Sequence, residues 1–381
     1  MAPSPGRLRG IHLSHRWIVS DCFIEPIRMV GVSRNKRSWS EADEGSVSRR
    51  PHHSRFLQSG LRRDSPVQLG FIAMRLRDVL EMFVLSAVWG ASFILIKLAG
   101  DDLPPVWVAV LRLAFGSAFL WIVLRLGRHK SPPFRLLPAL TVVAVLNNAV
   151  PFCLFPWGER TVPSSIAAIL NATTPIWALL LGLAAGVARA TRLTGAGVAL
   201  GFVGVLGVVY GNAGGTVGTG AGGYLLGVIL IAAASFSYGA GAVLAKRWLK
   251  GVEPVVIATF QLTLAGLLLL PLAFLGPHPA ALHWKSAAAV IALGVLGSGL
   301  AYLLFFRLLA TISATRTVAV TYLLPIWGLF WGFLAGEEIR WTALAGVVVV
   351  LAGLVLMNVK TEPKPLGTTT RATESYAPEQ A

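Results

Sequence analysis

The chain has 381 residues, of which 55% are hydrophobic and 13% are charged, and its mean hydropathy is +0.69. Soluble domains carry about 25% charged residues, so this composition excludes a soluble globular domain and a disordered chain and indicates a membrane protein. The formal net charge is +16. The basic residues of the chain lie mostly between apolar runs, as they do in integral membrane proteins. This placement argues against a nucleic-acid-binding protein.

Residues 1–73 form a separate block, rich in Arg, Ser and His, without an apolar run long enough to span a membrane. The block lacks the apolar core of a secretory signal, and its acidic residues argue against a transit peptide. The chain restarts at Met74, directly before an apolar run. We therefore expect residues 1–73 to be a disordered tail or an upstream extension wrongly assigned to the protein, with Met74 as the natural start.

The rest of the chain is a series of apolar stretches of about 20 residues, the length that crosses a bilayer as a helix. The ten predicted spans are residues 79–99, 106–126, 137–157, 164–186, 193–211, 223–246, 254–275, 286–306, 315–336 and 341–358. The Gly-rich segment 212–222 is predicted to be a flexible linker, since it lacks the Lys-Ser/Thr of a phosphate-binding loop. The polar tail 359–381 is predicted to be disordered.

The loops predict the orientation of the chain. With the N-terminus in the cytoplasm, fifteen Lys and Arg residues after Met74 fall on the inner side and three fall on the outer side. The inner residues are Arg75, Arg77, Arg125, Arg128, Lys130, Arg135, Arg189, Arg192, Lys246, Arg247, Lys250, Arg307, Lys360, Lys364 and Arg371. The outer residues are Arg160, Lys285 and Arg340. The excess of positive charge inside predicts that both termini are cytoplasmic.

The two halves of the chain match each other at an offset of 149 to 150 residues. Trp89-Gly90-Ala91 aligns with Tyr238-Gly239-Ala240, and Pro175-Ile176-Trp177 repeats as Pro325-Ile326-Trp327. Five spans per half is an odd number, so the second copy, residues 223–358, enters the membrane from the side opposite to the first copy, residues 74–211. The pattern predicts an all-α integral membrane protein of ten transmembrane helices in two inverted five-helix repeats. Such repeats are typical of secondary transporters, which bind substrate near the midplane between the halves.

Several strings then resemble the drug/metabolite transporter superfamily, EamA-type, over about residues 74–360. They are "AVWGASFILIKLA", "LRLAFGSAFL", "NNAVPFCLFPWGER" and "SSIAAILNATTPIWALLLG" in the first half, and "TVAVTYLLPIWGLFWGFLAGEEI" with "ALAGVVVVLAGLVLMN" in the second. The resemblance implies a multi-pass cell-membrane protein that exports amino acids, other metabolites or drugs. This sequence departs from the family pattern in one respect. The family usually has an acidic residue after the fourth helix and another after the ninth. Here Glu337-Glu338 follow the ninth, but the first half reads Val187-Ala188-Arg189.

Polar residues inside the predicted spans are few, and they need partners or a cavity. Asn147 and Asn148 in the third span suit a zwitterionic or amide-bearing ligand, although they can equally fix helix packing. Pro151 follows and frees a backbone carbonyl. In the fourth span, Asn171, Thr174 and Pro175 share one face.

Thr321 and Pro325 occupy the matching place in the ninth span. Together with the fourth span they can form a discontinuous-helix site, or they can be simple kinks.

Aromatic residues within the spans are further cavity candidates. Trp89 and Tyr238 are repeat-equivalent and can stack on a ligand or attract an ammonium group, but core filling is the alternative. Tyr302 and Tyr322 are weaker candidates.

Two charged residues are ambiguous. Arg112, near the outer end of the second span, can bind a substrate carboxylate or pair with Asp101 or Asp102, and the sequence favours the ion pair. Glu159 is the best candidate for a proton site, but a loop carboxylate paired with Arg160 is the favoured interpretation.

Other functional classes lack support in the sequence. An intramembrane enzyme acting on lipid or isoprenoid substrates, the alternative function, needs clustered acids or histidines in the spans, and only Glu337-Glu338 stand together. No ATP-binding motif, metal motif or cofactor motif occurs, and Cys22 and Cys153 do not form a CxxC pair. We therefore expect a non-enzymatic transporter without cofactors, a monomer or homodimer whose partners are a small-molecule substrate and the bilayer.

Overall fold

A computed structural model describes residues 75–213, 220–312 and 314–359 of the chain. Within these ranges the protein is entirely helical, and no β-strand occurs. The expected N-terminal extension 1–73, most of the Gly-rich linker and the tail after residue 359 lie outside the described residues.

The first five predicted spans correspond to seven α-helices and one π-helical segment. They are α1 (Leu76–Gly100), α2 (Pro105–Leu126), α3 (Leu137–Ala144), π1 (Val145–Ala149), α4 (Val150–Gly158), α5 (Ser164–Asn171), α6 (Thr174–Ala184) and α7 (Arg192–Ala213). A short 3₁₀ turn, Phe134–Leu136, leads into α3.

The second half contains six α-helices and one π-helical segment. They are α8 (Gly220–Trp248), α9 (Pro254–Leu275), α10 (Trp284–Gly294), π2 (Val295–Leu300), α11 (Ala301–Thr311), α12 (Ala314–Leu334) and α13 (Trp341–Met357).

Eight helical units of the described residues are long and apolar enough to cross a membrane. They are Leu76–Gly100, Pro105–Leu126, Phe134–Gly158, Ser164–Ala184, Arg192–Asn212, Gly222–Trp248, Pro254–Leu275 and Trp284–Thr311, and the shorter apolar helices are Val320–Leu334 and Trp341–Met357. Hydrocarbon offers no hydrogen bonds, so a spanning segment must satisfy its own backbone, as a helix does. Large apolar side chains such as Leu206, Ile229 and Leu267 remain exposed on the outside of the bundle, where lipid covers them.

The helices of the two halves interleave. α7 packs along α13, and α2 packs along α9. The other main contacts come in matching pairs: α1 with α12 and α8 with α6, α4 with α8 and α11 with α1, and α3 with α9 and α10 with α2. In the first of these pairs, Gly90 lies against Trp327, and Gly239 lies against Trp177. Each glycine lets the backbones approach where a side chain would meet the tryptophan.

Gly197 and Gly204 of α7 face α13. A Cβ atom on Gly197 would lie 2.6 Å from the Gly353 carbonyl oxygen, and one on Gly204 would lie 2.7 Å from the Val350 nitrogen. Small residues on both helices therefore bring these two backbones into contact.

The predicted fourth span, 164–186, is divided into α5 and α6 by a short turn at residues 172–173. Pro175 occupies the first turn of α6, where its missing N–H is tolerated, so a new helix begins there. Pro325, the repeat counterpart of Pro175, lies inside the continuous helix α12. The two matching segments therefore differ in backbone structure.

Candidate functional site

The two π-helical segments occupy matching positions in the sequence. Val145 opens π1, and Val295 opens π2, 150 residues later in the chain. A π-helical turn holds one extra residue and leaves part of the α-helical hydrogen-bond ladder unmade, and such turns occur often at functional sites. Asn148 lies in π1 and Ser298 lies in π2, and both are buried.

Arg112 of α2 is buried, with 7% of its surface exposed. Its Nε donates a hydrogen bond of 3.0 Å to Ser298 Oγ. The guanidinium carbon lies 3.8 Å from the centroid of the Phe152 ring, in a cation–π contact. Among the described residues no carboxylate forms an ion pair with Arg112.

The sequence offers Asp101 and Asp102 as acidic partners for Arg112, and Asp102 is engaged elsewhere. Asp102 accepts hydrogen bonds of 2.8 Å from the backbone N–H and the ring Nδ1 of His283, at the start of α10. These bonds lower the pKa of Asp102 to about 2. The ion pair expected at the end of the second span is therefore not formed with Asp102, and the guanidinium points into the protein instead.

Asn148 is fully buried and lies four residues before Phe152, the residue whose ring contacts Arg112. Its Nδ2 donates a hydrogen bond of 3.1 Å to the Tyr302 hydroxyl, while its Oδ1 has no hydrogen-bond partner. The Tyr302 ring stacks on Phe306 at 5.9 Å between centroids. An unpaired buried acceptor costs free energy, about 1–3 kcal/mol, and is the kind of group that a bound ligand satisfies.

These residues form one group that we call the central polar cluster: Arg112, Asn148, Phe152, Tyr238, Ser298 and Tyr302. Tyr238 of α8 belongs to it because it packs against the same apolar cluster as Phe152 and Tyr302. Its ring centroid lies 6.1 Å from that of Phe155. The cluster joins α2, π1–α4, α8 and π2–α11, so both halves of the chain contribute. Sequence reasoning missed Ser298 and Phe152, although they are the repeat counterparts of Asn148 and Tyr302.

The remaining predicted site residues lie outside this cluster. The side-chain amide of Asn147 packs against Gly241 of α8. Thr174 Oγ1 donates to the Asn171 carbonyl oxygen at 2.8 Å, across the turn between α5 and α6. The Asn147 contact stabilises the packing of π1 on α8, and the Thr174 hydrogen bond stabilises the turn between α5 and α6.

Two aromatic candidates also lie apart from the central polar cluster. The Trp89 ring lies 5.4 Å from Phe305 in a separate apolar cluster. The Tyr322 hydroxyl accepts a hydrogen bond of 2.6 Å from Asn358, just beyond α13. Thr321 of α12 is half-buried one residue before it. Pro151 stands in the first turn of α4, directly after π1.

A second polar cluster lies at the end of the bundle where α1 and α4 finish. Glu337, in the connection between α12 and α13, accepts a 2.8 Å hydrogen bond from Lys97 Nζ. It also accepts bonds from the backbone N–H and hydroxyl groups of Ser164 and Ser165 at the start of α5. Burial opposes ionisation of Glu337, but these bonds outweigh it and lower the pKa to about 2. The carboxylate thus caps α5 and joins three segments.

Glu159, directly after α4, is buried with 5% of its surface exposed. Neither carboxyl oxygen has a hydrogen-bond partner. Arg160, the partner that the sequence favours, is exposed and lies over the Trp157 ring instead. Burial raises the pKa of Glu159 well above its ordinary value, and the nearby charge of Glu337 raises it further. Lys97 and Arg112 act in the opposite direction.

Within residues 75–213, 220–312 and 314–359, no group of three or more His, Cys, Asp and Glu side chains is placed to hold a metal ion. Glu337, one of the adjacent acids noted in the sequence, is engaged by Lys97 and two serines.

Comparison with known families identifies the chain. The pattern of the EamA-like transporter family matches residues 78–210 and 225–359, more than half of the protein. The chain belongs to the EamA-like transporter family. With its spanning helices, it is a multi-pass protein of the cell membrane.

Curated relatives of this EamA-like protein are transporters by name. The "Uncharacterized inner membrane transporter YedA" of Escherichia coli strain K12 is 29% identical over 295 residues, covering 75% of this chain and 94% of the relative. The "Probable terminal-alkyne amino-acid exporter" of Streptantibioticus cattleyicolor is 27% identical over 298 residues, covering 76% and 96%. A solved crystal structure shares the fold, with a TM-score of 0.55 and 18% identity over 75% of this chain and 97% of its own.

Proposed function

We propose that this EamA-like protein is a secondary transporter that exports small metabolites, namely amino acids or related compounds, or drugs, across the plasma membrane. The observation that carries the proposal is the central polar cluster. It combines a buried cation without an anionic partner and a buried acceptor without a donor, in a bundle where both halves of the chain meet. The name of the Streptantibioticus relative, an amino-acid exporter, supports the substrate class.

The proposed architecture is ten transmembrane helices in two inverted repeats, residues 74–211 and 223–358, joined by the linker 212–222 and with both termini cytoplasmic. The paired helix contacts support it, since exchanging the two halves maps α1–α12 onto α8–α6 and α4–α8 onto α11–α1. Matching halves supply two conformations of similar energy, as alternating access requires. Pro151, Pro175 and Pro325 are proposed as the kinks that absorb the motion.

The proposed substrate path follows from the same geometry. Arg112, Asn148, Tyr238 and Tyr302 form its centre. The other candidates are proposed to line the route on either side of this centre, where they hold the helices that move; they are Trp89, Asn147, Asn171, Thr174, Thr321 and Tyr322. Glu159 is proposed as a proton site, because it is a buried carboxyl group without a partner.

Export from cells tests this function. Asn148→Ala removes the hydrogen bond to Tyr302 and the free acceptor, so we expect export to fall by about tenfold or more, the loss that one buried polar contact causes. Cells that express the full chain would be loaded with dipeptides and toxic amino-acid or drug analogues, and extracellular solutes and resistance would be measured.

The matched control is Asn212→Ala, which removes a buried amide bonded to the Val208 carbonyl within α7, away from the central polar cluster. We expect this variant to export like the wild type. Equal loss in both variants at unchanged membrane abundance would contradict the proposed site. No export of any solute by the wild-type protein would contradict the exporter itself.

A further inference from the structure

We propose that the central polar cluster recognises a substrate carrying a single carboxylate group, and that Arg112 is the residue that binds this group. The inference rests on the proposed transport function and names the chemistry of its substrate. It follows from three features of the cluster: an unneutralised cation, a fixed guanidinium orientation and a free acceptor one helical turn away.

The first feature is the charge of Arg112. A cation in the membrane interior is costly unless an anion or several polar groups compensate it. Among the described residues Arg112 has one hydrogen bond, to a neutral serine, and one ring contact. The carboxyl within its electrostatic range is Glu159, which forms no hydrogen bond with it. The site therefore carries positive charge that an anionic ligand can neutralise.

The second feature is the orientation of the guanidinium group. Ser298 Oγ fixes the Nε edge at 3.0 Å, and the Phe152 ring covers one face at 3.8 Å. The two terminal nitrogens are left without a partner among the described residues. Two parallel N–H groups of this kind match the two oxygens of a carboxylate, which they bind in a bidentate manner. Lysine offers no such planar fork, so arginine is specifically suited to this role.

The third feature is the unpartnered Oδ1 atom of Asn148. Arg112 contacts Phe152 and Ser298, and the residues four positions from these along their helices are Asn148 and Tyr302. Four residues span about one helical turn, so the Asn148–Tyr302 hydrogen bond lies roughly 6 Å along the helices from the contacts of Arg112. An acceptor at this distance suits a donor group, an ammonium, amide or hydroxyl, on the same small molecule. The cluster thus recognises a carboxylate and a hydrogen-bond donor together.

The balance of charge selects the kind of anion. One guanidinium neutralises one negative charge, and the other members of the central polar cluster are neutral, so a phosphate dianion would leave an excess negative charge buried in the bundle. An uncharged or cationic compound would leave Arg112 unneutralised. A monocarboxylate is the ligand class that satisfies both conditions. The carboxylate of a zwitterion can also pair with Arg112, and its ammonium group then takes Asn148 Oδ1 as its acceptor.

Transport by the full chain in liposomes tests the inference. The probes are radiolabelled amino acids, each paired with its carboxamide and its decarboxylated amine, together with propionate, propionamide and a phosphate monoester. We expect transport of at least one carboxylate-bearing probe, and at least tenfold slower transport of its carboxamide. Arg112→Gln should abolish this preference, and Arg112→Lys should restore only a minor part of it.

Two further readouts separate binding from folding. Because Arg112→Gln removes an unneutralised buried charge, it should melt at the same or a higher temperature than the wild type while having lost the preference for the carboxylate probe. Ser298→Ala frees the Nε edge and should raise KM several-fold with little change in the maximal rate.

Equal transport of the carboxylate and carboxamide probes, or preference retained in a folded Arg112→Gln variant, would overturn the inference and leave the transporter proposal standing. No transport of any probe by folded wild-type protein would count against the transporter proposal itself.

Discussion

Glu159 and Glu337 show how differently two carboxyl groups at one end of a bundle can behave. Glu337 receives bonds from Lys97, Ser164 and Ser165 and stays ionised, with a pKa of about 2. Glu159 is buried beside it without a hydrogen-bond partner, and its pKa is raised well above the ordinary value. Burial without donors raises the pKa of Glu159, whereas the donors that reach Glu337 lower its pKa in spite of burial.

Stability should therefore depend on pH through Glu159. A raised pKa in the folded state stabilises the fold below the ordinary value of 4.5 and loses this contribution as pH rises through the folded value. Glu337 acts oppositely: its stabilisation is present above its ordinary value and is lost as pH falls toward about 2. We expect the melting temperature of the purified protein to fall with rising pH above 4.5, and to fall less in Glu159→Gln.

The same variant tests the proposed proton site, because a neutral amide cannot exchange a proton. Export by Glu159→Gln should lose its dependence on external pH. A wild-type pH profile of melting and export that Glu159→Gln reproduces unchanged would exclude Glu159 from both roles. Comparing the variant with the wild type at each pH cancels the contribution of every titratable group that the two proteins share.

At the scale of elements, breaks in helices coincide with buried or half-buried polar side chains. π1 and π2 interrupt two spans at matching positions and carry Asn148 and Ser298 into one cluster. The turn between α5 and α6 divides another span, and Thr174 bonds the freed Asn171 carbonyl there. Regular helices such as α7 and α13 instead meet through glycine, where the requirement is close approach.

The α7–α13 contact can be tested with two glycine substitutions. A Cβ atom on Gly353 would lie 2.6 Å from the Gly201 nitrogen, so Gly353→Ala should push the helices apart and destabilise the protein by about 1–3 kcal/mol. A Cβ atom on Gly207 of α7 would have no neighbouring atom within 4 Å, so Gly207→Ala should stabilise by about 0.5–1 kcal/mol through helix propensity. Thermal unfolding in detergent measures both, and similar shifts in the two variants would refute the packing argument.

At the scale of the whole molecule, helices of both halves of the chain pack together around the central polar cluster. α2 packs on α9 and α7 packs on α13, so each of these contacts joins counterpart helices of the two halves. This arrangement places Arg112 and Asn148 from the first half against Ser298 and Tyr302 from the second. A movement of one half relative to the other must therefore change the cluster directly.

The proposed inverted repeat makes a topological prediction. Lys130, between α2 and α3, and Lys285, in the first turn of α10, are both exposed and should lie on opposite sides of the membrane. In a chain with Cys22→Ser and Cys153→Ser, a membrane-impermeant maleimide should label Lys285→Cys in intact cells. It should label Lys130→Cys only after permeabilisation. Labelling of both positions from one side would indicate parallel repeats.

The sequence by itself determined the membrane class, the family and the approximate spans, because hydrocarbon requires long apolar helices and each of these consists of consecutive residues. It also indicated Asn148, Tyr238, Tyr302 and Arg112 as candidates, since polar groups in apolar runs are rare. Only the tertiary structure decided which residues meet. Arg112 donates a hydrogen bond to Ser298, 186 residues away in the chain, and Asp102 is hydrogen-bonded to His283. Glu159 is buried and forms no hydrogen bond with Arg160. Such pairings depend on how helices distant in the chain pack together, and local sequence carries no direct record of that packing.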